Sequence, residues 1–205
     1  MTLDQFRPWA EKGLSPFVRA ADAVGLSPDG VSVIAFACAV AAGVAFGLQP
    51  PSAAPLAYVA GSVLVFLNGW LDLVDGALAR AQGTDSSGGD LLDHVLDRYA
   101  DIAVLVGLAA GIGRFGIGLA AVTGVLMTSY LGTQIQAVGI GREYGGLLGR
   151  ADRLALVGVV GVVAAVVPGP LVAGFGAVAI LLVVFAVVGH FTALQRFWGA
   201  WTSLE

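Results

Sequence analysis

Asp72-Leu73-Val74-Asp75-Gly76-Ala77-Leu78-Ala79-Arg80 is an acidic stretch inside a chain that is 58% hydrophobic and 12% charged, with a mean hydropathy of +0.88. Gly89, Asp93 and Asp97 follow, so residues 72–97 read D-x2-D-G-x2-A-R-x8-G-x3-D-x3-D. Seven of the eleven aspartates fall between Asp72 and Asp101. In a helix Asp72 and Asp75, at i and i+3, share a face, and so do Asp93 and Asp97, at i and i+4. Two helices joined by the polar loop Gln82 to Gly89 therefore aim four carboxylates into one space.

Such a cluster is expensive in an apolar setting, at about 2.5 to 3.5 kcal/mol for each carboxylate near a bilayer centre. The chain has a single lysine, Lys12, so lysines cannot offset it. Divalent cations can, because they turn the same carboxylates into ligands. Oxygen donors without His or Cys favour magnesium, manganese or calcium over zinc. Gly76 and Ala79, at i+1 and i+4 from Asp75, leave room for a flat base or a sugar against the helix.

Charged residues are about twice as frequent in soluble domains, so the composition indicates a membrane protein. A chain of 205 residues holds about six spans of roughly 20 residues with short loops, and it is read as one domain, 1–205. The expected fold is all-α and membrane-embedded: an interfacial amphipathic arm over 1–26, a six-helix bundle over 27–195 and a tail over 196–205. In the arm, Leu3, Phe6, Trp9 and Ala10, then Phe17, Ala20, Ala21 and Val24, recur at helical spacing among charges. The alternative is an ordinary packed amphipathic segment. The charged N-terminus, with no continuous apolar run before a cleavage site, argues against a removable signal peptide.

Ser27-Pro28-Asp29 supplies an N-cap and a first-turn proline for a span over Val31 to Leu48. Further spans are expected near Leu56 to Arg80, Asp90 to Ile112, Ile117 to Val138, Leu154 to Val167 and Leu171 to Leu194. Nine of ten basic residues lie on one side of this arrangement, with only Arg114 opposite. The positive-inside tendency then puts both termini and the aspartates in the cytoplasm. A net charge of −4 argues against a nucleic-acid partner. Cys38 is alone and reads as a small buried hydrophobe.

The pattern over 72–97 resembles the signature of the CDP-alcohol phosphotransferases, integral membrane enzymes that make phospholipids by displacing CMP from a CDP-linked lipid. The resemblance implies that Asp72, Asp75 and Asp93 hold Mg2+ or Mn2+, as two ions, together with the CDP diphosphate. It implies that Gly76, Ala79, Arg80 and Gly89 line the nucleotide site. Asp97 would be the general base toward the acceptor hydroxyl, a metal ligand, or both. A homodimer is implied as well, and the donor chains, diacylglycerol or archaeol, stay open.

The acceptor is set elsewhere. Gly149-Arg150-Ala151-Asp152-Arg153-Leu154 presents two arginines at i and i+3, suited to a phosphate on the alcohol. The stretch is similar to that of the branch that uses inositol phosphate. That branch usually carries basic residues after a pair like Ser129-Tyr130, and here Leu131-Gly132-Thr133-Gln134-Ile135-Gln136 follows. Glycerol phosphate, serine and other polar alcohols remain alternatives. Asp90 and Asp101 continue the acidic stripe as supporting or solvated residues, and Asp85 reads as solvated. His94 and His190 read as structural, and Asn68 serves either the site or an interhelical hydrogen bond. Two other functions compete: an aromatic-type membrane prenyltransferase, for which Asn68-x3-Asp72-x2-Asp75 is a faint motif, and a non-enzymatic cation carrier.

Overall fold

The computed structural model describes residues 7–141 and 147–204, with side chains from Gly13 onward. Leu3, Phe6, Arg142 and the side chains of Trp9 and Ala10 lie outside the described residues. Seven helices occur among those described: α1 Arg7–Ala23, α2 Pro28–Gly47, α3 Pro55–Gln82, α4 Ser87–Gly111, α5 Phe115–Ala137, α6 Arg150–Val166 and α7 Ala177–Leu204.

Local chemistry sets the boundaries around the acidic stretch. Ser27 caps α2, its hydroxyl accepting from the Gly30 amide at 3.1 Å, with Pro28 in the first turn. Gly83 takes up a left-handed conformation (φ 64°) that ends α3. Ser86 then caps α4 by accepting from the Gly89 amide at 3.0 Å. The α3–α4 connection is thus shorter than the polar composition of 82–89 indicated, because Ser87 and Gly88 are drawn into the first turn of α4.

Four helices, α2, α3, α5 and α7, are long and apolar enough to cross a bilayer. Six were expected. Asp90, Asp93, Asp97, Arg98 and Asp101 all lie on α4, and α6 has 17 residues. That length spans about 25 Å, short of a hydrocarbon core of about 30 Å. The last helix also begins later than expected. Leu171 to Gly176 form a turn closed by the Val172–Phe175 bridge, with Ala173 at φ 48° and Gly174 at φ 80°, after Pro168-Gly169-Pro170. At its other end α7 runs on through the expected tail to Leu204.

One apolar core, with Ala39, Phe46, Tyr58, Val65, Leu108, Val125, Val157 and Leu182, joins α2 to α7. Small residues bring the helices together, as in helix packing within lipid. At the α2–α4 crossing a Cβ on Gly107 would land on the carbonyl of Gly43, so neither backbone position tolerates a side chain. Outward-facing Leu56, Phe66, Leu119, Val166 and Val187 leave the perimeter apolar, as suits lipid exposure.

The helix α1 lies against α3 in a satellite cluster. Leu14 and Ala21 are buried with Val74 and Leu78, and Phe17 meets Trp70 edge-on with ring centroids 5.2 Å apart. This segment is therefore a packed arm that still exposes Phe17 and Val24. It rests on the length of α3 that carries the aspartates. A cavity of about 300 Å³ lies at the other end of the bundle among Pro50, Ile112, Arg114, Pro168 and Phe175, and no carboxylate lines it.

Candidate active site

Asp72 and Asp75 project from the last third of α3, and Asp93 and Asp97 from the first turns of α4. One carboxylate oxygen from each of Asp72, Asp75 and Asp93 lies within 4.8 Å of the others. Asp97, one turn beyond Asp93, lines the same narrow cleft together with Ser32, Ala35, Asn68 and Ala100. The periodicity argument therefore places all four carboxylates correctly, and three of them converge.

Asp75 is buried, and the Ser32 hydroxyl on α2 donates to its Oδ2 at 2.6 Å. Asn68, also buried, donates through Nδ2 to the Ala35 carbonyl at 3.0 Å, which ties α3 to α2. The interhelical role of Asn68 is thus real, but its Oδ1 is buried in the cleft wall without a hydrogen-bond partner. An orphaned buried carbonyl oxygen beside three converging carboxylates is a set of hard donors, and it fits magnesium or manganese.

The counter-charge comes from a direction that local sequence did not reveal. Arg150, opening α6, forks across the cleft and pairs with Asp72 at 2.8 Å through Nη1 and with Asp97 at 2.6 Å through Nη2. Arg153, one turn later, pairs with Asp101 at 3.1 Å. Arg98 pairs with Asp97 at 3.5 Å and Asp101 at 3.8 Å, and donates to the Ser129 hydroxyl on α5. Guanidiniums supply the counter-charge that a chain with a single lysine cannot. Asp101 is likewise buried and ion-paired rather than solvated. Five carboxylates meet three guanidiniums here, and the surplus of two negative charges, with all groups ionised, suits a divalent cation.

The remaining predicted residues lie outside the lining of this cleft. Gly76 and Ala79 are partly buried on α3, and Arg80 is exposed about 7.5 Å beyond Asp75 along the helix axis. Gly89 faces α2: a Cβ there would lie 3.4 Å from the Asp29 carboxylate and 3.3 Å from the Ser86 hydroxyl. Asp85 and Asp90 are exposed. His94 Nδ1 is 2.7 Å from the Asp90 carbonyl, and His190 Nε2 is 3.3 Å from the Thr123 hydroxyl, so both histidines bond within the scaffold. Ser32, Arg98 and Ser129 were missed by sequence reasoning. Ser32 lies in an apolar helix without a motif, Ser129 entered only as half of the Ser129-Tyr130 pair, and Arg98 was counted only as a topogenic charge.

Residues 26–203 match the model of the family described as CDP-alcohol phosphatidyltransferase. The chain belongs to this family. It is an integral membrane transferase of phospholipid biosynthesis, with a CDP-linked donor and an alcohol acceptor. An archaetidylinositol phosphate synthase of Methanothermobacter thermautotrophicus is 31% identical, over 99% of this chain and 96% of its own length. The structure of the phosphatidylinositol phosphate synthase of Mycobacterium tuberculosis in complex with manganese and citrate superposes with a TM-score of 0.76 at 27% identity, covering 92% of this chain and 89% of that one. The same enzyme with CDP-DAG bound gives 0.75, covering 92% and 94%.

Because ligand carboxylates depend on the hydrogen bonds behind them, Ser32→Ala should weaken Mn2+ binding about 10- to 100-fold. Electron paramagnetic resonance of free Mn2+ during titration of the purified protein reads this directly. Unchanged affinity would place Asp75 outside the metal shell.

Proposed function

We propose that this CDP-alcohol phosphatidyltransferase transfers the lipid phosphate of a CDP-linked lipid to a hydroxyl of inositol phosphate and releases CMP. The observation that carries the acceptor choice is the placement of Arg150 and Arg153: from α6, Arg150 reaches Asp72 and Asp97 and Arg153 reaches Asp101 one turn further along α4, so both guanidiniums stand beside the donor site. The inositol phosphate synthases among the relatives support the same acceptor. Glycerol phosphate is next in line, because it carries the same phosphate. The family assignment sets aside the prenyltransferase and carrier readings, which give no CMP.

Asp72, Asp75 and Asp93 would hold Mg2+ or Mn2+, as one or two ions, whose charge offsets that of the diphosphate and of departing CMP. Gly76, Ala79, Arg80 and Gly89 would flank the nucleotide. Asp97 accepts the proton of the acceptor hydroxyl as its oxygen attacks the phosphorus that bears the lipid. That P–O bond forms while the bond to the CMP phosphate breaks, and the proton stays on Asp97 until solvent removes it. Arg150, freed in part from Asp72 once that carboxylate serves a cation, and Arg153 would take the acceptor phosphate. The fork geometry of a guanidinium suits this task.

In the membrane, α4 and α6 complete six crossings with α2, α3, α5 and α7, and α1 lies at the interface. Packing against the long neighbours covers the charged half of α4 and the short α6. The unit is one domain over 1–205, with arm, bundle and tail at 1–26, 27–195 and 196–205. The site and both termini face the cytoplasm, where nine of the ten basic residues gather. The enzyme acts as a homodimer.

Four experiments test this reading. With a panel of alcohols and CMP release as readout, inositol phosphate should be the preferred acceptor. Arg153→Ala should raise its KM about 10- to 100-fold while CDP-lipid binding persists, the range expected for one lost charge-assisted hydrogen bond. Equal rates with unphosphorylated inositol would refute the acceptor. Asp97→Asn should lower kcat about 10²- to 10⁴-fold with CDP-lipid still bound in calorimetric titration. Near-normal turnover would remove Asp97 from the chemistry. Finally, Thr84→Cys in a Cys38→Ala background should be labelled only from the cytoplasmic side, and labelling from outside in intact cells would reverse the orientation.

A further inference from the structure

The helix α6 packs closely on α3 and α7, and α4 packs closely on α2 and α5; α4 and α6 are not among the closely packed pairs of the described residues. Two guanidiniums nevertheless cross between them, Arg150 to Asp97 at 2.6 Å and Arg153 to Asp101 at 3.1 Å. The space between α4 and α6 is therefore bridged by long side chains rather than closed by backbone contact.

Asp101 stands one turn beyond the last aspartate of the motif and is buried at 6% exposure. A single oxygen, Oδ2, faces both Arg153 and Arg98. The two guanidiniums have other restraints: Arg153 donates to the Leu148 carbonyl at 3.5 Å, and Arg98 donates to Ser129. The Nε atoms of Arg98 and Arg153 are buried without a partner. Arg98 divides its charge between Asp97 and Asp101 while Arg153 pairs with Asp101, and both guanidiniums keep unused N–H groups beside the acidic cluster.

A buried ion pair is a weak stabiliser, since apolar side chains of similar volume often do as well or better. Its distinctive capacity is to fix where a charge sits. Without Asp101, Arg153 would lose the carboxylate it pairs with, and its donors would no longer be held in place.

We infer that Asp101 is a positioning residue for the acceptor: it holds Arg153, together with Arg98, toward the phosphate of a phosphomonoester alcohol and so sets the preference for phosphorylated over unphosphorylated acceptors. This rests on the acceptor reading above and deepens it. Asp101 touches no substrate; it acts through the two arginines.

The test compares Asp101→Asn, Asp101→Glu and Ser129→Ala in the full chain reconstituted in lipid, with KM and kcat for inositol phosphate and for inositol, and Mn2+ affinity alongside. Asp101→Asn should raise KM for inositol phosphate about tenfold, as expected for a lost charge-assisted hydrogen bond, with kcat and Mn2+ affinity nearly unchanged. Its preference for inositol phosphate over inositol should shrink by the same factor. Asp101→Glu, which keeps the charge, should recover part of the loss. Ser129→Ala removes one of the restraints on Arg98 and should raise KM in the same sense, which decides the matter if Asp101→Asn fails to fold. An unchanged KM in a folded Asp101→Asn, or in Ser129→Ala when Asp101→Asn does not fold, overturns the inference. So does a parallel loss of kcat and Mn2+ affinity that Asp101→Glu fails to relieve. A native enzyme without preference for the phosphorylated alcohol overturns the acceptor reading and this inference together, whereas retained preference in Asp101→Asn overturns the positioning role alone.

Discussion

The fork of Arg150 onto Asp72 and Asp97 is the contact on which the arrangement of this site depends. It is the point where three helices, α3, α4 and α6, are joined by charge at the end of an otherwise apolar bundle. A carboxylate cluster in such a setting repels itself, and removing one member of a buried pair leaves an uncompensated charge, at a cost of about 3 to 5 kcal/mol. Arg150 offsets two carboxylates with one side chain whose planar donors hold both at fixed positions. Among the described residues, the ion pairs of Arg98, Arg150 and Arg153 do not include Asp75 or Asp93. This is where the site retains its negative surplus and its capacity for a divalent cation.

Everything around that contact serves its geometry. The packing of α2 on α3 lets Ser32 reach Asp75 and brings Ala35 within range of Asn68, while Gly43 and Gly107 let α2 approach α4 closely. The arm α1 covers the opposite side of α3 through Leu14 and Ala21, so the acidic third of α3 is supported on both sides. Arginine rather than lysine at positions 98, 150 and 153 has a physical basis. Each shares its charge between two oxygens or between an oxygen and a scaffold acceptor, which a point-like ammonium does less well. The outcome is an acidic cleft among α2, α3 and α4, with arginine side chains crossing from α6 to α4 beside it.

The sequence alone determined the class of molecule, the positions of its helices through the acidic region, and the four carboxylates of the motif. These are local properties: hydropathy is a window average, caps act within three residues, and an i, i+3 or i, i+4 spacing places side chains on one face whatever surrounds the helix. Tertiary structure decided what balances those carboxylates. Arg153 and Asp101 are 52 residues apart, Ser32 and Asp75 are 43 apart, and Asn68 and Ala35 are 33 apart. No periodicity links such positions, because the pairing depends on which helix packs against which and at what depth. The same reason separates the expected six crossings from the four that length and apolarity support. Whether a charged or short helix belongs inside the membrane depends on the neighbours that cover it, which a single segment of sequence does not contain.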